Sequence, residues 1–184
     1  MEGLVLAVAV AAVVLLAVLG RGLLHAAKVA ADRNARPDSL RHAKLVYVER
    51  TFRIRHPIRL VARIDRAYRL NHGPLVLVEL KSRWTDRPFD SDIIQLSAQR
   101  LAIEAGTGDK VETYAFVSVV HPFRGSVVRH HKVRLLEAAQ LLELHRRREA
   151  LLAEHVPAAY SRSTAACRAC AFRARCDRPR RGVH

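Results

Sequence analysis

Two acids and an amine lie close together in the middle of the chain. Asp65 closes one apolar run, and Glu79 and Lys81 close the next. Between them, Asn71-His72-Gly73-Pro74 is a turn signal, and Leu75 to Leu80 is a Val- and Leu-rich run of strand length. Side chains alternate along a strand, so Glu79 and Lys81 share a face while Leu80 points away. With Leu60 to Arg66 as the partner strand, Asp65 meets that pair across the hairpin. Two carboxylates and a lysine at the edge of an apolar sheet are costly unless their charge is compensated. A divalent metal ion held by Asp65 and Glu79 would compensate it, with Lys81 beside the water or phosphate on which the ion acts.

The flanking chain supplies elements that could position these groups. Lys44 to Arg53 reads as a first strand, broken off by Pro57 before the strand from Leu60 to Arg66. A polar stretch, Ser82 to Ser91, reads as a loop over the site and carries Arg83, Trp84 and Arg87. Asp90, Ser91 or Asp92 then caps a helix through Glu104, ended by Gly106. Gln95 and Gln99 stand four apart, on one stripe of that helix. Val111 to Val120 is a further strand, His121 to Gly125 a turn, and Ser126 to Val133 a returning strand. Arg134 to His155 has the leucine spacing of a long amphipathic helix, and its Arg146-Arg147-Arg148 run is either a phosphate-contacting face or a solvated one.

These residues resemble the PD-(D/E)XK nucleases, in particular the RecB-like branch. That branch combines a hydrophobic residue followed by Asp, a strand ending in Glu-x-Lys, and a helix carrying Gln-x-x-x-Tyr. Asp65, Glu79, Lys81 and Gln95 match; Gln99 stands where the tyrosine usually does, and Ala62 where glycine often does. The resemblance spans roughly residues 40 to 176. It implies an α/β, restriction-endonuclease-like mixed sheet flanked by helices. It also implies catalytic Asp65, Glu79, Lys81 and Gln95, and Mg²⁺ or Mn²⁺ held by Asp65, Glu79 and the backbone carbonyl of Leu80. A histidine ahead of the sheet often assists the metal in that branch, and His42 and His56 are the nearest here.

Three cysteines follow in a basic tail, Cys167, Cys170 and Cys176, a C-x2-C-x5-C ligand spacing. An odd, clustered set is no disulfide framework and suits a reducing compartment. A nuclease core followed by three C-terminal cysteines resembles the CRISPR-associated RecB-like nucleases of the Cas-four type. The resemblance implies an iron–sulfur cluster on Cys167, Cys170 and Cys176, and partners in CRISPR adaptation or DNA repair. The fourth cysteine of that type is absent here. A non-cysteine ligand, a three-iron cluster, zinc with His155 or His184, and an empty tail are the alternatives.

The N-terminus carries a different signal. Gly3 to Gly20 has no charge, and eighteen helical residues span about 27 Å, close to the hydrocarbon core of a bilayer. Glu2 precedes the run and Arg21 and Lys28 follow it, the reverse of a secretory signal peptide, so the reading is a single membrane anchor with the remainder in the cytoplasm. The expected organisation is an anchor over 1–21, a juxtamembrane helix and linker over 22–39, a nuclease core over 40–160, and a basic cysteine-bearing tail over 161–184.

With 32 Lys and Arg against 17 Asp and Glu, the formal charge is +15, which suits phosphate backbones or an anionic membrane surface as well as a plain solvated surface. No Gly-rich phosphate loop and no internal repeat is present, so P-loop chemistry and solenoid architectures find no support. The expected function is a metal-dependent deoxyribonuclease, acting as an exonuclease on single-stranded or end-bearing DNA. The alternatives are a membrane-tethered DNA-binding protein that keeps the fold without cleavage, and a lipid-surface protein whose basic face rests on anionic membrane.

Overall fold

In the computed structural model of the chain, the described residues are 36–71, 73–123, 127–161 and 163–176. The expected anchor over 1–21 and all but the end of the juxtamembrane segment lie outside them. Among the described residues, no helix is long and apolar enough to cross a membrane. The chain divides into two compact units, through Leu141 and from Leu142 onward.

The first unit is built on one five-stranded sheet of β1 (Lys44–Ile54), β2 (Leu60–Arg69), β3 (Leu75–Ser82), β4 (Tyr114–Val120) and β5 (Val127–Arg134), in that spatial order. All neighbours are antiparallel except β3 and β4, which run parallel and are joined through helix α1 (Asp90–Thr107). The sheet is therefore mixed and lies against a helix, as the resemblance implies.

The β2–β3 turn is made by local hydrogen bonds: Leu70 N donates to Pro74 O at 3.3 Å, and Gly73 N donates to Leu70 O. A Cβ at Gly73 would stand 2.9 Å from the Leu70 carbonyl oxygen, so only glycine fits there. This turn sets the register Arg66↔Val78 through Arg69↔Leu75, and with it the strand positions that face Asp65.

β3 is apolar on both faces because both are covered. Leu75 and Leu77 enter the main core with Leu96, Ala102 and Ile103 of α1, while Val76 and Val78 pack with Leu40, Tyr68 and Phe116 on the other side. α1 packs across β1, β2 and β3. Four buried apolar positions, Leu75 to Val78, thus hold rigid the strand whose end carries Glu79 and Lys81.

Several element ends differ from the sequence expectations. β2 runs on to Arg69, past the expected Arg66, because pairing with β3 continues to the turn. β4 begins at Tyr114 instead of Val111; Val111 makes only an isolated bridge to Leu75, with Leu75 N donating to Lys110 O at 2.8 Å. α1 ends at Thr107, and Gly108, at φ 76°, closes it in the left-handed conformation, not Gly106. A short 3₁₀ turn, Asp38–Leu40, precedes β1.

The last long helix, α2 (Ala138–Leu152), starts four residues later than the leucine spacing suggests. Leu135 is a core residue, and its N–H donates to Thr113 O at 2.8 Å. Leu136 N donates to Ser97 Oγ at 2.9 Å, so extended backbone is used up to that point. In the second unit, Arg146 pairs with Glu143 at 3.3 Å and Arg148 with Glu149 at 2.6 Å, all exposed, as on a solvated face. The tail there forms a short helix, α3 (Thr164–Arg168), and a 3₁₀ turn, Arg173–Arg175.

Candidate active site

β2 and β3 pair as far as Arg66 and Val78. The next facing positions are Asp65 and Glu79, and there the ladder stops. In its place Leu80 N donates to Asp65 Oδ2 at 2.9 Å, so a side chain takes over the bond that a backbone carbonyl would have accepted.

Glu79 is 3 % exposed, and an ionised carboxylate at that depth needs partners. It has three. Lys81 Nζ donates to Oε1 at 2.8 Å, Gln95 Nε2 donates to Oε1 at 2.7 Å, and Gln99 Nε2 donates to Oε2 at 2.9 Å. Lys81 Nζ also donates to Gln95 Oε1 at 2.8 Å, closing a ring of contacts among Glu79, Lys81 and Gln95. The alternation along β3 places Glu79 and Lys81 on the face that Leu75 and Leu77 present to α1, where both glutamines can reach them.

Two further charges border this ring. Asp92, 4 % exposed, lies 3.9 Å from Lys81 Nζ and 2.8 Å from Arg83, and its Oδ2 accepts the Phe89 N–H at 2.8 Å. Asp92 therefore caps α1 from its third residue, with Phe89 as the cap position. Arg83 also donates to Arg87 O at 2.6 Å and lies over the Phe89 ring at 4.3 Å. The loop after β3 is tied to β5 as well: Asp86 bonds His131 Nε2 at 2.7 Å and pairs with Arg129 at 3.4 Å.

The electrostatics of the site are short of positive charge. Asp65, Glu79 and Asp92 stand against Lys81 and Arg83. Burial raises the Asp65 carboxyl above its ordinary range, and the Glu79 and Glu49 charges add to the rise; the Leu80 N–H and Lys81 work the other way.

Oxygen donors on two acids suit a hard divalent cation better than zinc. Glu79 Oε1 is filled by two donors, while Oε2 accepts only Gln99; Asp65 Oδ2 takes the Leu80 N–H, and Oδ1 accepts no hydrogen bond among the described residues. Asp65 Oδ1 and Glu79 Oε2 thus keep lone pairs to offer. These residues fit Mg²⁺ or Mn²⁺. Among the described residues, no three His, Cys, Asp or Glu side chains are gathered to hold a metal.

The same observation bears on the tail. Cys167 is half-buried, Cys170 and Cys176 are exposed, and none is in a disulfide; among the described residues no three ligating side chains are gathered there for an iron–sulfur or zinc centre. His155 is exposed, and His184 lies outside the described residues. His42 and His56 are exposed, and neither hydrogen-bonds Asp65, Glu79 or Lys81.

Asp65, Glu79, Lys81 and Gln95 are therefore brought together, with the Leu80 peptide among them. Sequence reasoning left Gln99 doubtful and read Asp92 only as a cap and Arg83 only as a loop residue. The signal for Gln99 was its spacing of four from Gln95 on a helix stripe; for Arg83 and Asp92, nine residues apart across a loop, no local pattern existed.

No curated protein matches the chain. A solved structure titled "Crystal structure of SSO0001" is similar at 18 % identity over 88 % of this chain and 70 % of its own, with a TM-score of 0.47. The sequence profile of the PD-(D/E)XK nuclease superfamily matches residues 6–177. A match over nearly the whole chain, with acids and lysine gathered where β2 and β3 part, leads to one conclusion: this chain belongs to the PD-(D/E)XK nuclease superfamily.

Proposed function

We propose that the chain is a metal-dependent deoxyribonuclease that acts as an exonuclease on single-stranded or end-bearing DNA. The observation that carries the reading is the buried Glu79 carboxylate, fixed by Lys81, Gln95 and Gln99 beside an Asp65 whose proton affinity is raised. When bound, Mg²⁺ or Mn²⁺ supplies an activated water and neutralises charge on the phosphoryl oxygens. Asp65 and Glu79 would hold it, together with the Leu80 carbonyl. Lys81 keeps its ammonium at the mouth of the site, where charge on a phosphate develops, and Gln95 holds both Lys81 and Glu79 in orientation. The net charge of +15 draws the DNA backbone in.

The test is cleavage of single-stranded and end-bearing DNA by the purified full chain with Mn²⁺ or Mg²⁺. Lys81→Ala and Glu79→Ala should each lower the rate about 10²- to 10³-fold, the scale of losing a preorganised charge. Equal cleavage by the parent and both variants would sink the assignment. The tethered, non-cleaving alternative has less support: a degenerate site has no physical reason to keep two acids, Asp65 and Glu79, together with Lys81 at the end of an apolar sheet.

The wider reading places this activity at a membrane surface facing the cytoplasm, through the apolar run Gly3 to Gly20, in DNA processing of the repair or CRISPR-adaptation type. Flotation of the full chain with vesicles, lost on removal of that run, tests the anchor. An iron–sulfur centre would require Cys167, Cys170 and Cys176 to converge and a fourth, non-cysteine ligand. Visible absorption and iron analysis of anaerobically purified protein tests that part separately.

A further inference from the structure

β3 and β4 run parallel and end together: Ser82 is in register with Val120, and Arg83 N donates to Val120 O at 3.3 Å. The chain leaving the two strand ends brings three rings into one cluster. The Trp84 ring lies 5.1 Å from His121 and 5.4 Å from Phe123, edge to face, and His121 lies 6.5 Å from Phe123. Trp84 is 69 % and Phe123 84 % exposed. Mutual packing alone does not bury them. Exposed apolar surface that is contiguous, instead of scattered, marks a place where something binds.

The position narrows what that is. Trp84 follows Lys81 by three residues, so their Cα atoms lie at most about 11 Å apart. A strand whose phosphate reaches Lys81 therefore passes the rings within a nucleotide or two. An edge-to-face contact covers at most one face of a ring, and the exposure of Trp84 and Phe123 leaves ring surface open to a base that has lost its own neighbour. Bases inside a duplex are already stacked and paired; unpaired ones are not.

The geometry points to a stacking subsite, formed by Trp84 and Phe123 with His121 behind them, for an unpaired base of a single strand of nucleic acid flanking the phosphate at Lys81. Arg87, exposed on the same loop, and the overall charge of +15 complement the strand's phosphates. The subsite rests on the nuclease reading for what happens to that strand; the binding itself does not.

Trp84 is the chain's only tryptophan, so its emission reports on this subsite alone. The full chain, with EDTA present to prevent metal-dependent cleavage, is titrated with an oligothymidylate and with a blunt duplex of equal length. The expected result is saturable quenching by the single strand and none by the duplex. Phe123→Ala should weaken single-strand binding about tenfold, with the salt dependence of binding unchanged. Single-strand binding, seen by anisotropy, that leaves Trp84 emission unaltered would overturn the proposal. So would Phe123→Ala and Trp84→Ala variants that bind as the parent does; both residues are exposed, so neither change threatens folding. Lys81→Ala should need more oligothymidylate but reach the parent's quenching at saturation. If it also cleaves like the parent, the nuclease reading falls while the quenching result still decides the subsite.

Discussion

Gln99 Nε2 donates at 2.9 Å to Glu79 Oε2 and at 2.8 Å to the carbonyl oxygen of Arg63. One buried amide, 2 % exposed, therefore ties α1 to the backbone of β2 and to the acid at the end of β3. An amide suits the task because its nitrogen carries two donors, one for the carboxylate and one for the backbone carbonyl.

Gln99→Met keeps the volume and removes the donor. The loss of a hydrogen bond to a charged group should cost about 1.5–3 kcal/mol of stability. Metal affinity or activity should fall about 10- to 100-fold, as for other groups that orient a metal ligand. Urea unfolding and Mn²⁺ titration measure the two separately, and unchanged values in both would show that Glu79 needs no support from α1.

The raised Asp65 carboxyl makes stability depend on pH with a definite sign. Protonation is easier in the folded chain than in the unfolded one, so this contribution is full below the ordinary value of 3.8 and is lost as pH rises through the higher folded value. Asp65→Asn keeps an acceptor for the Leu80 N–H and removes the charge. Without divalent metal, the variant should melt above the parent at neutral pH, and the gap should close as pH falls toward 3.8. A gap that stays constant with pH would show that burial is not what shifts Asp65.

The same group competes for protons and cations. Mn²⁺ affinity, and cleavage with it, should fall as pH drops through the raised Asp65 value, above the range of an ordinary aspartate. The pH profile of Mn²⁺ binding by calorimetry checks this, and a profile flat down to ordinary aspartate values would remove Asp65 from the ligand set.

The buried Asp92 carboxylate joins the half-buried Arg83 and Lys81 and the Phe89 N–H in one cluster. Asp92→Ala removes the carboxylate partner of the Arg83 guanidinium, 16 % exposed, leaving it the Arg87 carbonyl, and should destabilise the protein by about 1.5–3 kcal/mol. Asp92→Asn keeps an acceptor for Phe89 and should lose less. Chemical denaturation of both variants ranks them, and an Asn variant no more stable than the Ala variant would show that the acceptor for the Phe89 N–H contributes nothing.

Gly73→Ala probes the turn that aligns β2 with β3. The new Cβ would stand 2.9 Å from a backbone oxygen that cannot swing away, so a loss of about 1–3 kcal/mol is expected. Thermal unfolding measures it. A neutral result would show that the turn can relax without moving the register.

The sequence alone determined the strand that carries Glu79 and Lys81, its turn, and the grouping of both with Asp65. An apolar run covered on both faces, a Gly-Pro turn and side-chain alternation are all written within a few neighbouring residues. It also determined that α1 follows, and that Gln95 and Gln99 share a stripe of it. Tertiary structure decided the rest. Whether Gln99 meets Glu79 depends on how α1 docks across β1, β2 and β3, a packing outcome no local pattern encodes. Leu135 and Leu136 have helical spacing, yet a core position for one and a Ser97 hydrogen bond for the other hold them extended. The Trp84–His121–Phe123 cluster joins loops nearly forty residues apart, because β3 and β4 lie side by side and end at the same level. Contacts between strands and helices distant in sequence are set by the sum of core packing, and so appear only once the chain has folded.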